Sequence, residues 1–365
     1  MVSDYTVGKP FGGLQTHVYH LAQHISRLND IELHLITFSD RNEDRKIDNI
    51  NFHFIKKARI PRIFTIPLDA LSIKKKIIEI NPDIVHIHGT HYPYSLIVGM
   101  VKNDYSTVLT VHGIMGIEYK FNRQLNFLGG LVSFFLEKYA FSKIRNIIVC
   151  SPPMKEILEN KTEAMISIIP NGIECSEIKN VVPLKLTQPS ILFVGLLERI
   201  KGPDILIRSI PILKKKYPNI RLYMAGKGSQ ETILKELSRE LDIEDNVKFL
   251  GYISGEKKYS YYTSADICAV PSRYESFGIV ILESMACGTP VIASNVGNIP
   301  YLINNDEIGL KCKLGDVDDL AEKIIYLFQD TNLRNEMSLK TMQEAKKYSW
   351  DKIASKTIDL YKKLI

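Results

Sequence analysis

Two glutamates eight residues apart, Glu275 and Glu283, stand in the run Pro-Ser-Arg-Tyr-Glu-Ser-Phe-Gly-Ile-Val-Ile-Leu-Glu-Ser-Met-Ala-Cys-Gly-Thr-Pro at residues 271–290. From Gly278 onward the segment is apolar nearly all round, which predicts a buried helix, and Gly288 and Pro290 end it. Glu283 falls inside that helix. A buried carboxylate without a partner is costly, so Glu283 requires either the hydroxyls of a bound ribose or an internal cation. Glu275 lies just ahead of the helix, where the amides of Phe277 and Gly278 can hold a phosphate while the carboxylate takes sugar hydroxyls.

Three other short segments carry chemistry. Residues 194–202, Val-Gly-Leu-Leu-Glu-Arg-Ile-Lys-Gly, place Arg199 and Lys201 just before a helix expected to begin near Pro203. Two cations there can neutralise a diphosphate, the alternative being solvated loop charges. His112, in Thr-Val-His-Gly at 110–113, ends an apolar run and can hydrogen-bond a sugar hydroxyl or stabilise developing charge; a structural histidine is the equal alternative. Gly12 and Gly13 lead into a helix carrying Leu14 and Val18, so backbone amides at a helix N-terminus can approach an anion there, unless the pair is simply a turn. His17, His20 and His24 on the same helix have no cysteine or acidic residue among them and read as exposed or core-flanking side chains, not metal ligands. His86, His88 and His91 read as structural.

These groups need elements to position them. Short runs rich in Ile and Val, at 31–38, 84–87, 107–111, 147–150, 191–194, 221–225, 247–250, 267–270 and 291–293, alternate with segments of helical period. That alternation predicts an α/β protein with parallel sheets covered on both faces. In such sheets ligands bind beyond the carboxyl ends of the strands, where all four segments fall. The pattern pauses at about 171–190, where Val-Val-Pro and Gln-Pro mark a connector. The expected division is residues 1–180 as one domain, 181–348 as a second, and 349–365 as an amphipathic helix docking back on the structure.

Together these segments resemble the group 1 glycosyl transferases, glycosyltransferase family 4, over nearly the whole chain. The resemblance rests on the Glu275 and Glu283 spacing, the Glu-Ser-Phe-Gly run, Ala-Cys-Gly-Thr-Pro-Val at 286–291, Gly12-Gly13 with His17, Thr-Val-His at 110–112, Pro-Asn-Gly at 170–172, and Lys201-Gly202. It implies the GT-B fold, two Rossmann-like parallel-sheet domains facing across a cleft, and a retaining hexosyltransferase using a nucleoside-diphosphate sugar, UDP- or GDP-linked. By the same resemblance Glu283 would bind the donor ribose, and Glu275, Ser276, Phe277 and Gly278 would hold the sugar and diphosphate. Gly12 and Gly13 would approach the diphosphate, His112 would contact the transferred sugar, and Lys201 would stabilise the leaving group. Tyr252 and Ile253 are similar to the family's base-contacting loop. No cofactor and no obligatory metal is implied.

Two features depart from that family pattern. Leu196 stands where the family usually has an arginine, leaving Arg199 as the nearest substitute, and only Met1 and Val2 precede Ser3 where the family has a full apolar strand. Either departure points to reduced stability or weak activity, so a silent nucleotide-sugar-binding homologue is one alternative, and a GT-B epimerase or phosphorylase another.

The composition limits the rest. A chain of 365 residues, 45% hydrophobic, can bury a large core, and its net charge of +6 is spread over many short runs. Dispersed basic residues without a base-reading module argue against nucleic acid. Five cysteines without a CxxC pair suggest neither a disulfide framework nor a zinc site and fit a reducing cytoplasm. No stretch approaches the ~18 apolar residues of a membrane span, so a cytoplasmic protein is expected, at most peripheral at the inner face of a membrane. The aromatic segment at 119–139, with Lys120, Arg123 and Lys138, is read either as core packing or as a surface facing a membrane that carries a lipid-linked acceptor. The expected partners are thus a nucleotide-sugar donor and a glycan or lipid-linked acceptor.

Overall fold

The computed structural model describes residues 1–3, 13–28, 30–57, 62–114, 116–117 and 127–365, and Gly12 and part of the aromatic segment lie outside them. The chain divides into two compact units, Met1–Gly172 with Trp350–Ile365, and Ile173–Ser349. The division thus falls eight residues before the expected boundary at 180.

In the first unit the strands are β1 (Leu33–Ser39), β2 (Glu43–Ile47), β3 (Ile50–Lys56), β4 (Ile84–His88), β5 (Ser106–Val111), β6 (Asn146–Val149) and β7 (Met165–Ile168). β4, β5, β6 and β7 form a parallel sheet in that order, and β1 pairs parallel with β3, to which β2 is antiparallel. Val2 bridges Ile36 of β1 and Ile87 of β4, joining the two sets of strands. The β2–β3 hairpin was not legible as strand because β2 reads as a run of charges. Its turn residues Asp48 and Asn49 take φ of 47° and 62°, as a tight two-residue hairpin requires. The helix Trp350–Lys362 packs on the helix Gly13–Ile25, with Trp350, Ile353, Ala354 and Ile358 meeting Val18, Leu21, Ala22 and Ile25 in one core. A Cβ at Gly172 would lie 2.5 Å from the Trp350 indole, so the glycine of the Pro-Asn-Gly run admits that ring.

The second unit contains β8 (Ser190–Val194), β9 (Arg221–Ala225), β10 (Val247–Gly251), β11 (Ile267–Val270), β12 (Val291–Ser294) and β13 (Leu310–Cys312). All pair parallel, in the order β10-β9-β8-β11-β12-β13. This is the doubly wound order, whose direction of winding reverses between β8 and β11, and ligands of such sheets sit at that reversal. The core there is mainly aliphatic: Ile191, Leu206, Ile210 and Leu213 with Ile267, Ile292 and Ile324, and Phe193 among them. The helix Ile279–Ala286 carries Glu283 as expected, and Pro203 opens the helix Pro203–Lys216.

Candidate functional site

The turns after β8 and β11 are fastened to each other. Gly202 adopts φ of 66°, and a Cβ there would lie 2.0 Å from the Pro271 carbonyl oxygen, so only glycine permits this approach. Across the seam the Arg273 amide donates to the Ile200 carbonyl at 2.8 Å, and its guanidinium donates to the Arg199 carbonyl at 2.8 Å. The same guanidinium grips both Asp204 oxygens, at 2.7 and 2.6 Å. Burial works against the ionised Asp204, but the hydrogen bonds and charge of Arg273 prevail and hold its carboxyl below the usual value.

Held in this way, Lys201 reaches Glu275: Nζ donates to Oε2 at 2.7 Å, and the Ser272 hydroxyl donates to the same oxygen at 3.3 Å. Glu275 is buried, and its carbonyl is fixed by the Asn298 amide at 3.1 Å. The Asn298 side-chain amide donates to the Phe277 carbonyl at 2.9 Å, leaving its Oδ1 buried without a partner. Gly278, in the left-handed region at φ of 98°, opens the helix Ile279–Ala286 beside it, with Phe277 buried and Ser276 half-buried. One cation, one carboxylate and a helix N-terminus therefore meet where the winding of the sheet reverses.

Two partners were open for the buried Glu283, and the structure supplies the internal one. Lys258 Nζ donates to Oε1 at 2.6 Å and the Tyr262 hydroxyl donates to Oε2 at 3.0 Å. Burial opposes the charge on Lys258, yet Glu283 holds its pKa above the ordinary value, while burial and then Glu283 push the Tyr262 hydroxyl well up. Sequence reasoning missed this pair. Its signal was Lys258 and Tyr262 four apart, hence on one face of the helix Gly255–Ser264. Arg199 is exposed, Leu196 is 57% exposed in the same turn, and beyond β10 Tyr252 is exposed while Ile253 is buried.

In the first unit His112 follows β5 and is half-buried, with Nε2 3.4 Å from Nδ1 of His88, the last residue of β4. His17 lies against both, its ring centroid 4.8 Å from that of His112 and 5.6 Å from that of His88. Its Nδ1 is 2.8 Å from Asn171 Oδ1, so the Pro-Asn-Gly run and the first helix meet across 154 residues of sequence. His86 bridges Thr110 and Tyr361 and stacks on His88. His17, His20 and His24 prove buried, His24 against Asp351 at 2.7 Å. Burial, reinforced by neighbouring imidazoles, holds His86, His88 and His112 well below 6.5 and His17 at about 4. His112 is therefore neutral at physiological pH and offers hydrogen bonds, not positive charge. Gly13, the first residue of its helix, is exposed, with open space around its Cα.

Among the described residues no helix is long and apolar enough to cross a membrane. The helix Phe127–Lys143 exposes Leu131, Val132, Phe134, Phe135 and Tyr139, together with Lys138.

Residues 11–177 match the family model described as Glycosyltransferase Family 4, and residues 175–344 match Glycosyl transferases group 1. An uncharacterized glycosyltransferase of Methanocaldococcus jannaschii is 28% identical, the match covering 96% of this chain and 94% of that one. The D-inositol 3-phosphate glycosyltransferase of Corynebacterium jeikeium is 37% identical over 47% of this chain and 43% of its own. Among solved structures, sucrose-phosphate synthase from Thermosynechococcus elongatus superposes with a TM-score of 0.84 at 22% identity, covering all of this chain and 98% of the other. The Anabaena protein HepE in complex with UDP-glucose superposes with a TM-score of 0.77 at 17% identity, covering 99% and 98%. The fold is that of the GT-B proteins.

Proposed function

The chain belongs to the group 1 glycosyltransferases, and from that premise we propose that it is a retaining hexosyltransferase taking a hexose from a uridine or guanosine diphosphate sugar. The Lys201–Glu275 pair at the winding reversal of the second unit carries this reading, because it sets a cation beside a carboxylate where a diphosphate meets its sugar. Glu275 takes hydroxyls of the sugar, the amides of Phe277 and Gly278 and the ammonium of Lys201 take the diphosphate, and Ser276 lines the same turn. As the glycosidic bond to the donor breaks, negative charge grows on the departing phosphate and Lys201 meets it without reorganisation. A phosphate oxygen of the donor takes the acceptor proton as the acceptor oxygen bonds to the anomeric carbon on the same face. Glu283, oriented by Lys258 and Tyr262, binds the ribose, and Tyr252 and Ile253 flank the base. Gly12 and Gly13 approach the diphosphate. His112, held neutral, hydrogen-bonds the transferred sugar. The complex of the Anabaena protein with UDP-glucose favours uridine in the donor.

Transfer by this route needs no metal ion. The purified protein, freed of metals, is offered a panel of UDP- and GDP-hexoses, first by thermal shift and then with candidate acceptors, with the product anomer read by NMR. Stabilisation by one donor class and a product of retained configuration, undiminished by chelator, is the expected result. An inverted product, or activity restored only by magnesium or manganese, rules the mechanism out.

The exposed face of the helix Phe127–Lys143 supports an acceptor carried on a lipid. Leu131, Phe134, Phe135 and Lys138 recur at helical spacing, the form of a helix lying in a membrane interface. We place the protein in the cytoplasm, peripheral at the inner face of a membrane, in cell-surface polysaccharide or glycolipid synthesis. Flotation with anionic vesicles that is lost in Phe134→Ser/Phe135→Ser checks this, and equal flotation of the variant refutes it.

A further inference from the structure

The imidazoles of His17, His88 and His112 arrive from three separate elements, the helix Gly13–Ile25, the end of β4 and the residue after β5. One ring nitrogen of each lies within 4.8 Å of the others. In a tetrahedral zinc site, with Zn–N bonds of ~2.0 to 2.1 Å, two ligand nitrogens stand about 3.3 to 3.4 Å apart. The His88 Nδ1 to His112 Nε2 separation of 3.4 Å is already that edge. Bringing in His17 closes a separation of at most 4.8 Å by about 1.4 Å, small beside the reach of an imidazole about its two torsions.

Two further observations bear on which ring nitrogens are free to take a metal. The Asn171 side-chain oxygen at 2.8 Å accepts only, so the His17 proton sits on Nδ1 and leaves Nε2 as a bare lone pair. An outer hydrogen bond to the second ring nitrogen is how metal-binding imidazoles are oriented and their tautomer fixed. His88 Nε2 is buried with no hydrogen-bond partner, and the residue is fully buried. With the ring proton on that outer nitrogen, the Nδ1 lone pair of His88 is the one turned towards the ion. The donor set is all neutral nitrogen, which suits zinc and disfavours magnesium, calcium and manganese, whose preference is oxygen. His112 is half-buried, so the site opens on its side.

We infer that His17, His88 and His112 form a three-imidazole zinc site with its fourth position open beside His112, and that zinc bound there inhibits transfer reversibly by withdrawing the His112 ring from the sugar. The inhibition rests on the sugar-contacting role given to His112 above; the binding does not.

Zinc titrated calorimetrically into the full-length, chelator-treated protein should bind at one ion per chain. Cobalt in its place should give the intense visible bands of a tetrahedral nitrogen site, without the near-ultraviolet absorption of a cobalt–thiolate bond. His17→Gln and His88→Gln should each weaken zinc by about 100-fold, and Asn171→Ala by about 10-fold. Zinc should also shield the half-buried His112 of the wild-type protein from acylation by diethyl pyrocarbonate, a readout that survives if a variant fails to fold. No binding heat, an octahedral or thiolate spectrum, an unshielded His112, or folded variants that bind zinc as the wild type does would each overturn the site. Saturating zinc should lower transfer more than about 10-fold, with recovery on adding chelator, and His17→Gln should be insensitive to it. Zinc bound at this site with transfer undiminished would overturn the inhibition while leaving the donor reading untouched.

Discussion

Lys201 Nζ rests 2.7 Å from Glu275 Oε2, and the two residues come from turns 74 positions apart that Gly202 and Arg273 hold together. The lysine side chain is 27% exposed and the glutamate 8%, so the cation lies on the open side of the pair. An anion arriving there finds a positive group already oriented by a buried carboxylate, which removes much of the entropy cost of ordering a long side chain.

Lys201→Ala should therefore lower kcat by about 10² to 10³, the range for losing one preorganised charge-stabilising group. Steady-state kinetics against the donor panel reads this directly. Transfer at the wild-type rate would remove the diphosphate from this turn.

Glu283 holds Lys258 and Tyr262, and two variants separate that structural role from the ribose-binding role proposed for it. Glu283→Ala should weaken nucleoside diphosphate binding by about 1.5 to 3 kcal/mol through loss of a charged acceptor for the ribose hydroxyls. Lys258→Met leaves a buried carboxylate without its cation and should cost about 3 to 5 kcal/mol of stability in urea unfolding. Calorimetry on the folded Glu283→Ala protein decides the matter: unchanged affinity means that Glu283 serves only the ion pair.

Gly202→Ala asks for a left-handed φ from alanine and drives its Cβ into the Pro271 carbonyl. We expect a stability loss of at least about 1 to 3 kcal/mol together with a fall in kcat, since the turn that presents Lys201 must shift. A variant with wild-type melting and kinetics would show that the two turns are not coupled.

The buried imidazoles make the first unit sensitive to acid. His17 titrates at about 4 in the folded protein against 6.5 unfolded, so between those values the unfolded chain binds more protons and stability falls as pH drops. From this one residue the loss approaches about 3 kcal/mol by pH 4, and His86, His88 and His112, shifted the same way, add to it. Thermal melts from pH 7.5 to 4.5 should show a steady decline beginning near 6.5, shallower in His17→Gln. A flat profile would mean that these rings are not buried in solution.

The exposed Leu196 leaves the turn after β8 without an arginine at that position, and Arg199 is exposed, its carbonyl held by Arg273. Arg199→Ala should accordingly cost far less than Lys201→Ala, and Leu196→Arg should raise kcat severalfold. A loss in Arg199→Ala equal to that of Lys201→Ala would assign Arg199 the missing arginine's role.

The sequence alone determined the parallel α/β class, most of the strands, the buried helix after Gly278 and the loops at which to look, because hydrophobic period and glycine placement are local properties of the chain. It determined that Glu283 must have a partner, since a carboxylate in an apolar helix has no other stable outcome. It did not reveal the β2–β3 hairpin, whose first strand is edge-exposed and charged and so lacks alternation. Nor could it choose between ribose and Lys258 for Glu283, or bring His17, His88, His112 and Asn171 together, since those neighbours lie 24 to 154 residues apart. Such contacts are fixed by where parallel strands end and by which helix covers them. Only the packed tertiary structure decides that, because pairing energies between distant side chains leave no periodic trace in the chain that carries them.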